Sequence, residues 1–203
     1  MTRVVLASSN PGKLRELGAL LAPLSLTLIP QGALGIAAVP ESGASFLANA
    51  LLKARHAAQC ARLPALADDS GLEVDALGGR PSVRSARFAG EGASDGDNLR
   101  QLLAELRDVP PLLRQARYQC VIVLVGSAAD AQPLIARGSW EGHIATAPRG
   151  GGGFGYDPVF VPAGEQRSAA ELDSVEKNAL SHRARALRAL VAMLGSASYI
   201  PAP

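Results

Sequence analysis

Apolar positions along the 203-residue chain fall into two periods. Runs with period two, or short unbroken runs, predict strands over 3–8, 26–29, 65–68, 72–76 and 116–126. The segment ARYQCVIVLVG (116–126) is the strongest of these, being rich in β-branched residues. PLIARGSWEGHIATA (133–147) alternates with turn residues and predicts one or two further strands. Period 3.6 predicts helices over 12–22, 45–61, 95–107 and 173–194. The third is announced by Ser94 with Asp97 three residues on, a capping-box spacing. The loops expected at Glu41-Ser42-Gly43 and 78–94 and the glycine run 150–153 punctuate these elements, and 196–203 reads as a loose tail. Strands interleaved with helices predict an α/β fold on a mixed sheet.

Composition narrows this picture a little. At 48% hydrophobic residues, the chain can bury a core as one domain, or one domain with two lobes. A net charge of +2, with both signs scattered, gives no support for nucleic-acid or membrane-surface binding. No stretch approaches a membrane span, and the N-terminus lacks a leader pattern, so a cytoplasmic protein is expected. Cys60 and Cys120 lack metal-ligand spacing and sit among apolar residues, which predicts two buried thiols of a reducing compartment.

Candidate chemistry begins at LASSNPGKL (6–14). The segment nearly matches the phosphate-cradling pattern G-x-x-x-x-G-K-[ST], but Ala7 and Leu14 fail two of its fixed positions. A strand followed by a helix N-terminus still offers free backbone donors to an anion. Lys13 in the first helical turn opposes the helix dipole unless an anion joins it. Spacing alone leaves two readings open, an anion seat or a capped helix with a solvated lysine.

ALADDSGLEVDALGG (65–79) puts two carboxylates at the end of a strand. Neighbours in a strand face opposite sides, so Asp68 and Asp69 should not enter one cleft together. One is available to a metal while the other holds the turn or a lysine; DDSG by itself is also an ordinary turn. Glu41 offers a second carboxylate, and Mg²⁺ on a nucleotide takes one or two carboxylates plus phosphate oxygens and waters. Lys53 lies roughly 90° from the centre of the apolar stripe of helix 45–61, and by position alone reads as a snorkelling lysine. RGGGGFGYDP (149–158) delivers Phe154, Gly155, Tyr156 and Asp157 on a glycine-freed backbone. It reads either as a stacking surface for a planar ring or as a flexible loop with its aromatic tucked inward. In the last helix, Leu180, Leu187, Leu190, Val191 and Leu194 form the buried stripe, and Arg183 lies roughly 40° from its centre. Lys177, His182 and Arg183 together read as donors awaiting an acceptor-rich ligand, although His182 alone would be an ordinary surface histidine.

SSNPGK, the glutamate of PESG, NALLKA, ADDSGLEVDALGG, SAR (85–87), GGFGYDP and EKNALSHR occur in the order and spacing of a known family. The chain resembles the inosine/xanthosine triphosphate pyrophosphatases from about residue 4 to 194. These enzymes hydrolyse deaminated purine nucleoside triphosphates to the monophosphate and pyrophosphate. The resemblance implies an elongated two-lobed α/β fold around a long mixed sheet, a homodimer, Mg²⁺ dependence and a cytoplasmic role in clearing aberrant purines. It implies a triphosphate loop at Ser8, Ser9, Asn10, Gly12 and Lys13, with Lys53 as a second phosphate ligand. It further implies a metal pair of Glu41 and Asp69, Asp69 as acceptor of the attacking water's proton, and Ser70 as a substrate contact. Phe154, Gly155, Tyr156 and Asp157 would hold the nucleoside, and Lys177, His182 and Arg183 would read the base. Two departures stand out: Ser9 where the family commonly has glycine, and Ala48 where it commonly has glutamate. Two rivals compete with this reading, a nucleotide sensor without the metal pair and a pyrophosphatase for pyrimidine or modified nucleotides without the three base-reading donors.

Overall fold

The structure is a computed structural model and describes residues 2–22 and 26–196; the expected tail lies outside them from 197 on. Six strands form one sheet in the order β2-β1-β3-β4-β5-β6. They are β1 (Thr2–Leu6), β2 (Leu26–Pro30), β3 (Ala65–Val74), β4 (Gln115–Val125), β5 (Leu134–Ile144) and β6 (Phe160–Pro162). β1 runs parallel to β2 and β3, with Val5 opposite Ala65 and Leu6 opposite Leu66, whereas β5 and β6 are antiparallel. The sheet is therefore mixed, as expected. The flanking helices are α1 (Pro11–Leu21), α2 (Phe46–Ala61), α3 (Asp95–Glu105), α4 (Ser174–Leu180) and α5 (His182–Ser196).

The chain divides into two compact units. Unit one comprises residues 1–69, 120–138 and 183–203; unit two comprises 70–119 and 139–182. Each has its own apolar core. In unit one, Leu17 and Leu21 of α1 pack with Leu66, Ile122 and Leu190. In unit two, Trp140, Phe160, Leu72, Leu102 and Tyr156 belong to one cluster. Side chains this completely buried contribute about 1.5–3 kcal/mol each.

Three expectations differ from the structure, and one short strand was not expected. β3 runs unbroken through Asp68-Asp69-Ser70-Gly71, where a turn and two strands were expected. Asp, Ser and Gly favour turns when their side chains bond their own backbone; here lysines recruit both carboxylates, and the backbone stays extended. The expected helix 173–194 is two helices, broken at Ser181, whose backbone is extended (φ −64°, ψ 158°). The break resets the helical phase, so Leu180 is exposed while Leu187 and Leu190 are buried. Segment 133–147 holds one strand, β5, within the expected one or two, whereas the three-residue β6 was not expected, having no periodic signal in so short a run. Cys120 is buried as expected, and burial pushes its thiol up to about 12. Cys60 is exposed, in the last turn of α2 just before the left-handed Arg62.

Candidate functional site

In unit one, side chains preset the loop after β1. Asn10 caps α1, its Oδ1 accepting from Lys13 N at 3.1 Å, and Pro11 occupies the first helical position. Ser8 Oγ accepts from Asn10 N at 3.3 Å, Ser9 Oγ accepts from Gln31 Nε2 at 3.0 Å, and Gly12 is buried. The anion that Lys13 needs is present: its Nζ lies 3.0 Å from Asp68 Oδ2.

Alternation along β3 separates the two aspartates as expected. Asp68, fully buried, faces Lys13 and Arg183, whose Nε and Nη2 lie 3.4 and 3.5 Å from the same Oδ2. The other arm of Arg183 donates to Glu16 Oε2. Burial alone would raise the Asp68 pKa, but Lys13, Arg183 and Lys53 hold it far below the usual carboxylate range. Burial works against the charge of Arg183 as well, yet Asp68 and Glu16 keep it firmly protonated. Arg183 is thus 1% exposed with partnered carboxylates, whereas the sequence grouped it with Lys177 and His182, which belong to unit two.

Asp69 turns the other way. Its Oδ2 accepts from Asn49 Nδ2 at 3.0 Å and its Oδ1 from Lys53 Nζ at 3.2 Å. Lys53 Nζ also donates to Glu41 Oε1 at 2.6 Å, so it is a paired lysine and not a snorkelling one. Burial raises the Asp69 pKa, Lys53 and Lys13 pull it back, Glu41 adds to the rise, and the net direction is upward. For Lys53, burial is outweighed by Asp69, Asp68 and Glu41, and its pKa is raised. Two carboxylates from different elements thus converge on one cationic group. Among the described residues no three His, Cys, Asp or Glu side chains group as a metal cage. Two converging carboxylates fit a hard divalent ion that keeps its remaining positions for water and phosphate oxygens. Ser70 follows in β3, half-buried.

In unit two the hub is Asp157, buried, accepting from Phe154 N at 2.8 Å, Lys177 Nζ at 2.7 Å and Tyr118 Oη at 3.3 Å. Gly153 sits at φ +72°, and a Cβ there would lie 2.1 Å from Asp157 Oδ2, so the turn requires glycine. Gly155, also at positive φ, donates to Asp95 Oδ2 at 2.8 Å. Tyr156 is buried, its hydroxyl donating to Ser85 O at 2.8 Å and its pKa pushed up by burial. Of the two aromatics, Phe154 therefore keeps the accessible ring, half-buried, with Lys177 Nζ 4.8 Å from its centroid. His182 is buried and stacks on Tyr118 at 4.7 Å and 9°.

Participants not expected from the sequence include Asn49, Glu16, Tyr118 and Asp95. Asn49 had a signal, since a polar carboxamide four residues before Lys53 opens NALLKA inside an apolar stripe. Glu16 had a weaker one, three residues after Lys13 on the same helix face. Tyr118 and Asp95 had none, because their partners lie 39 and 60 residues away.

Residues 4–193 match the model of the Ham1 family. A dITP/XTP pyrophosphatase of Methylococcus capsulatus is 56% identical over 192 residues, covering 95% of this chain and 96% of its own length. The dITP/XTP pyrophosphatase of Escherichia coli K12 is 51% identical over 94% of this chain and 97% of its own. The solved structure of a HAM1 protein from Coxiella burnetii superposes with a TM-score of 0.89 at 47% identity, covering 97% of this chain and all of that one. No helix among the described residues is long and apolar enough to cross a membrane.

Proposed function

The chain belongs to the Ham1 family, and from that membership we propose that it is a dITP/XTP pyrophosphatase. It hydrolyses deaminated purine nucleoside triphosphates (ITP, dITP, XTP) to the monophosphate and pyrophosphate, keeping those bases out of DNA and RNA. The observation that carries the reading is Lys53 joining Glu41 and Asp69, with Lys13 held by Asp68. This is a charge set suited to a polyphosphate and a divalent ion. A non-catalytic nucleotide sensor has no use for the converging carboxylates.

The proposed metal is Mg²⁺ on Glu41 and Asp69, where it would polarise phosphate oxygens. Ser8, Ser9, Asn10 and Gly12 present the α1 N-terminus to the phosphates, and Lys13 and Lys53 neutralise charge that grows on them. Ser70 is a further substrate contact. Asp69 takes a proton from water as its oxygen attacks the α-phosphorus; the bond to the α–β bridging oxygen breaks and pyrophosphate leaves. A carboxylate whose basicity is raised by burial is suited to take that proton.

In unit two, Phe154 offers a stacking face, while Gly155, Tyr156 and Asp157 shape the nucleoside loop. Lys177 and His182 are assigned to the base edge as donors. Hypoxanthine and xanthine carry a carbonyl at position 6, where adenine carries an amino donor, so donors there favour the former. Guanine shares that carbonyl and is turned away at position 2, where an amino group without an acceptor costs about 1–3 kcal/mol. Arg183 was expected as a third reader; its engagement with Asp68 and Glu16 supports assigning it instead to anchoring Asp68. A homodimer and a cytoplasmic location complete the proposal on the family resemblance.

A substrate panel with Mg²⁺, scoring pyrophosphate against orthophosphate, tests this reading. Pyrophosphate from ITP, dITP and XTP is expected, with ATP and GTP poor. A nucleoside diphosphate product, or ATP used as well as ITP, would overturn it.

A further inference from the structure

We infer that Asn49 is a positioning residue that locks the Glu41 loop to Asp69, so that both carboxylates are held toward one cation. The inference rests on the reading that Glu41 and Asp69 hold the divalent metal. Asn49 is 0% exposed and lies on the apolar side of α2, among Phe46, Ala50 and Ala54. An asparagine is a poor helix former and costly to bury unless fully bonded, so alanine or leucine would suit helix packing better. Both ends of its carboxamide are bonded. Oδ1 accepts from Gly43 N at 2.7 Å, and Nδ2 donates to Asp69 Oδ2 at 3.0 Å. The two partners, one an N–H and the other a carboxylate, fix which end of the amide is which.

The geometry makes this a clamp on the site. Gly43 stands two residues after Glu41, and its amide is the point where the loop touches α2. A Cβ on Gly43 would lie 2.6 Å from Asn49 Oδ1 and 2.8 Å from Ala48 Cβ, so the loop seats directly on the helix. By taking Oδ2 of Asp69, Asn49 leaves Oδ1 on the side where Lys53 Nζ and Glu41 Oε1 meet. Asn49 and Lys53 are four residues apart, so one helix face supplies both the clamp and the ammonium that balances the carboxylates. Groups that orient metal ligands in this way are typically worth ~10–100-fold in metal affinity.

The test measures Mn²⁺ binding to the nucleotide-free protein by loss of the free-ion electron paramagnetic resonance signal. It is paired with the Mg²⁺ dependence of ITP hydrolysis. Wild type should bind Mn²⁺, and Glu41→Gln should bind it much more weakly. Asn49→Ala should weaken Mn²⁺ binding by ~10–100-fold and raise half-saturating Mg²⁺ in parallel, while kcat at saturating Mg²⁺ returns to within a few fold of wild type. A general packing defect would lower kcat at every Mg²⁺ concentration. Gly43→Ala, whose added methyl presses on Asn49 Oδ1 and Ala48, should shift affinity the same way, and the double variant should be no worse than Asn49→Ala alone. Should Asn49→Ala not fold, Gly43→Ala carries the test, and an unchanged Mn²⁺ affinity in it overturns the inference. Weak binding in Glu41→Gln beside wild-type affinity in Asn49→Ala overturns the clamp and leaves the metal pair standing. Wild-type affinity in Glu41→Gln overturns the metal pair, and the clamp with it.

Discussion

Lys13 and Glu16 stand one helical turn apart on α1 and bond opposite ends of a single buried pair, Lys13 to Asp68 and Glu16 to Arg183. The four charges alternate in sign and join α1, β3 and α5 within unit one. An arginine in the core is tolerable only with such partners. The ammonium proposed to meet phosphate is thereby tied to the same network that holds the fold.

Breaking that network should therefore cost stability before it costs chemistry. Arg183→Ala removes the buried cation shared by Asp68 and Glu16, leaving Lys13 to balance Asp68, and should destabilise by about 3–5 kcal/mol, the usual cost of breaking a buried pair. Thermal unfolding measures this. Lys177→Met should instead erode the preference for ITP over ATP with a smaller change in melting temperature. An Arg183→Ala protein with normal stability and lost base preference would restore arginine to the base edge.

The pH dependence follows from Asp68. Its folded pKa lies below the ordinary value of 3.8, so its contribution is fully present above about 3.8 and is lost as pH falls toward the depressed folded value. Asp68→Asn lacks this contribution. The difference in melting temperature between wild type and Asp68→Asn should be widest near neutrality and should narrow below pH 3.8. A difference that stayed constant into acid would mean the Asp68 charge has no part in it.

Asp69→Asn keeps the side-chain shape and its place opposite Asn49 while removing the proposed base. kcat on ITP should fall by ~10²-fold or more, the usual scale of general-base loss. Near-normal turnover would remove Asp69 from that role.

Phe154→Ala should weaken binding of every purine triphosphate alike, because ring stacking does not distinguish base edges. A loss of about 1–3 kcal/mol, read as a rise in KM, is expected, with the ITP-to-ATP ratio of kcat/KM unchanged. A ratio that collapsed would make Phe154 a reader of the base.

Gly153→Ala tests the loop that carries this ring. A Cβ 2.1 Å from Asp157 Oδ2, on a backbone at φ +72°, cannot be accommodated without moving the carboxylate that holds Lys177. KM for ITP should rise and the preference over ATP should drop together. Unaltered kinetics would show that the Asp157 hub is dispensable.

Much of this was legible in the sequence, and the reasons differ element by element. A buried strand at Ala65-Leu66-Ala67, the Ser94 cap and the opposite facing of Asp68 and Asp69 follow from local rules of period and capping, and the structure has all three. The unbroken course of β3 was not legible, because turn preference is local while the lysines that override it come from α1 and α2. Likewise the break at Ser181 hid inside an apparently continuous 3.6 period. The candidate site was legible as residue types but not as partnerships. Nothing near Arg183 in sequence names Asp68, 115 residues away, and an asparagine in an apolar stripe gives no sign of what it bonds.

The adjacency of Asp68 and Asp69 in an extended strand makes their identities depend on parity. Register with β1 fixes which position of β3 points to which side, and a shift by one place exchanges the sides. One extra residue between Leu66 and Asp68 would carry Asp68 into the place where Lys53 and Asn49 wait, and would push Asp69 beyond it. The letters DDSG would read unchanged, and a comparison of residue types would register both aspartates as retained. A homologue with such an insertion would keep the motif and lose the arrangement, so the count of residues back to Leu66 is as diagnostic of this site as the aspartates themselves.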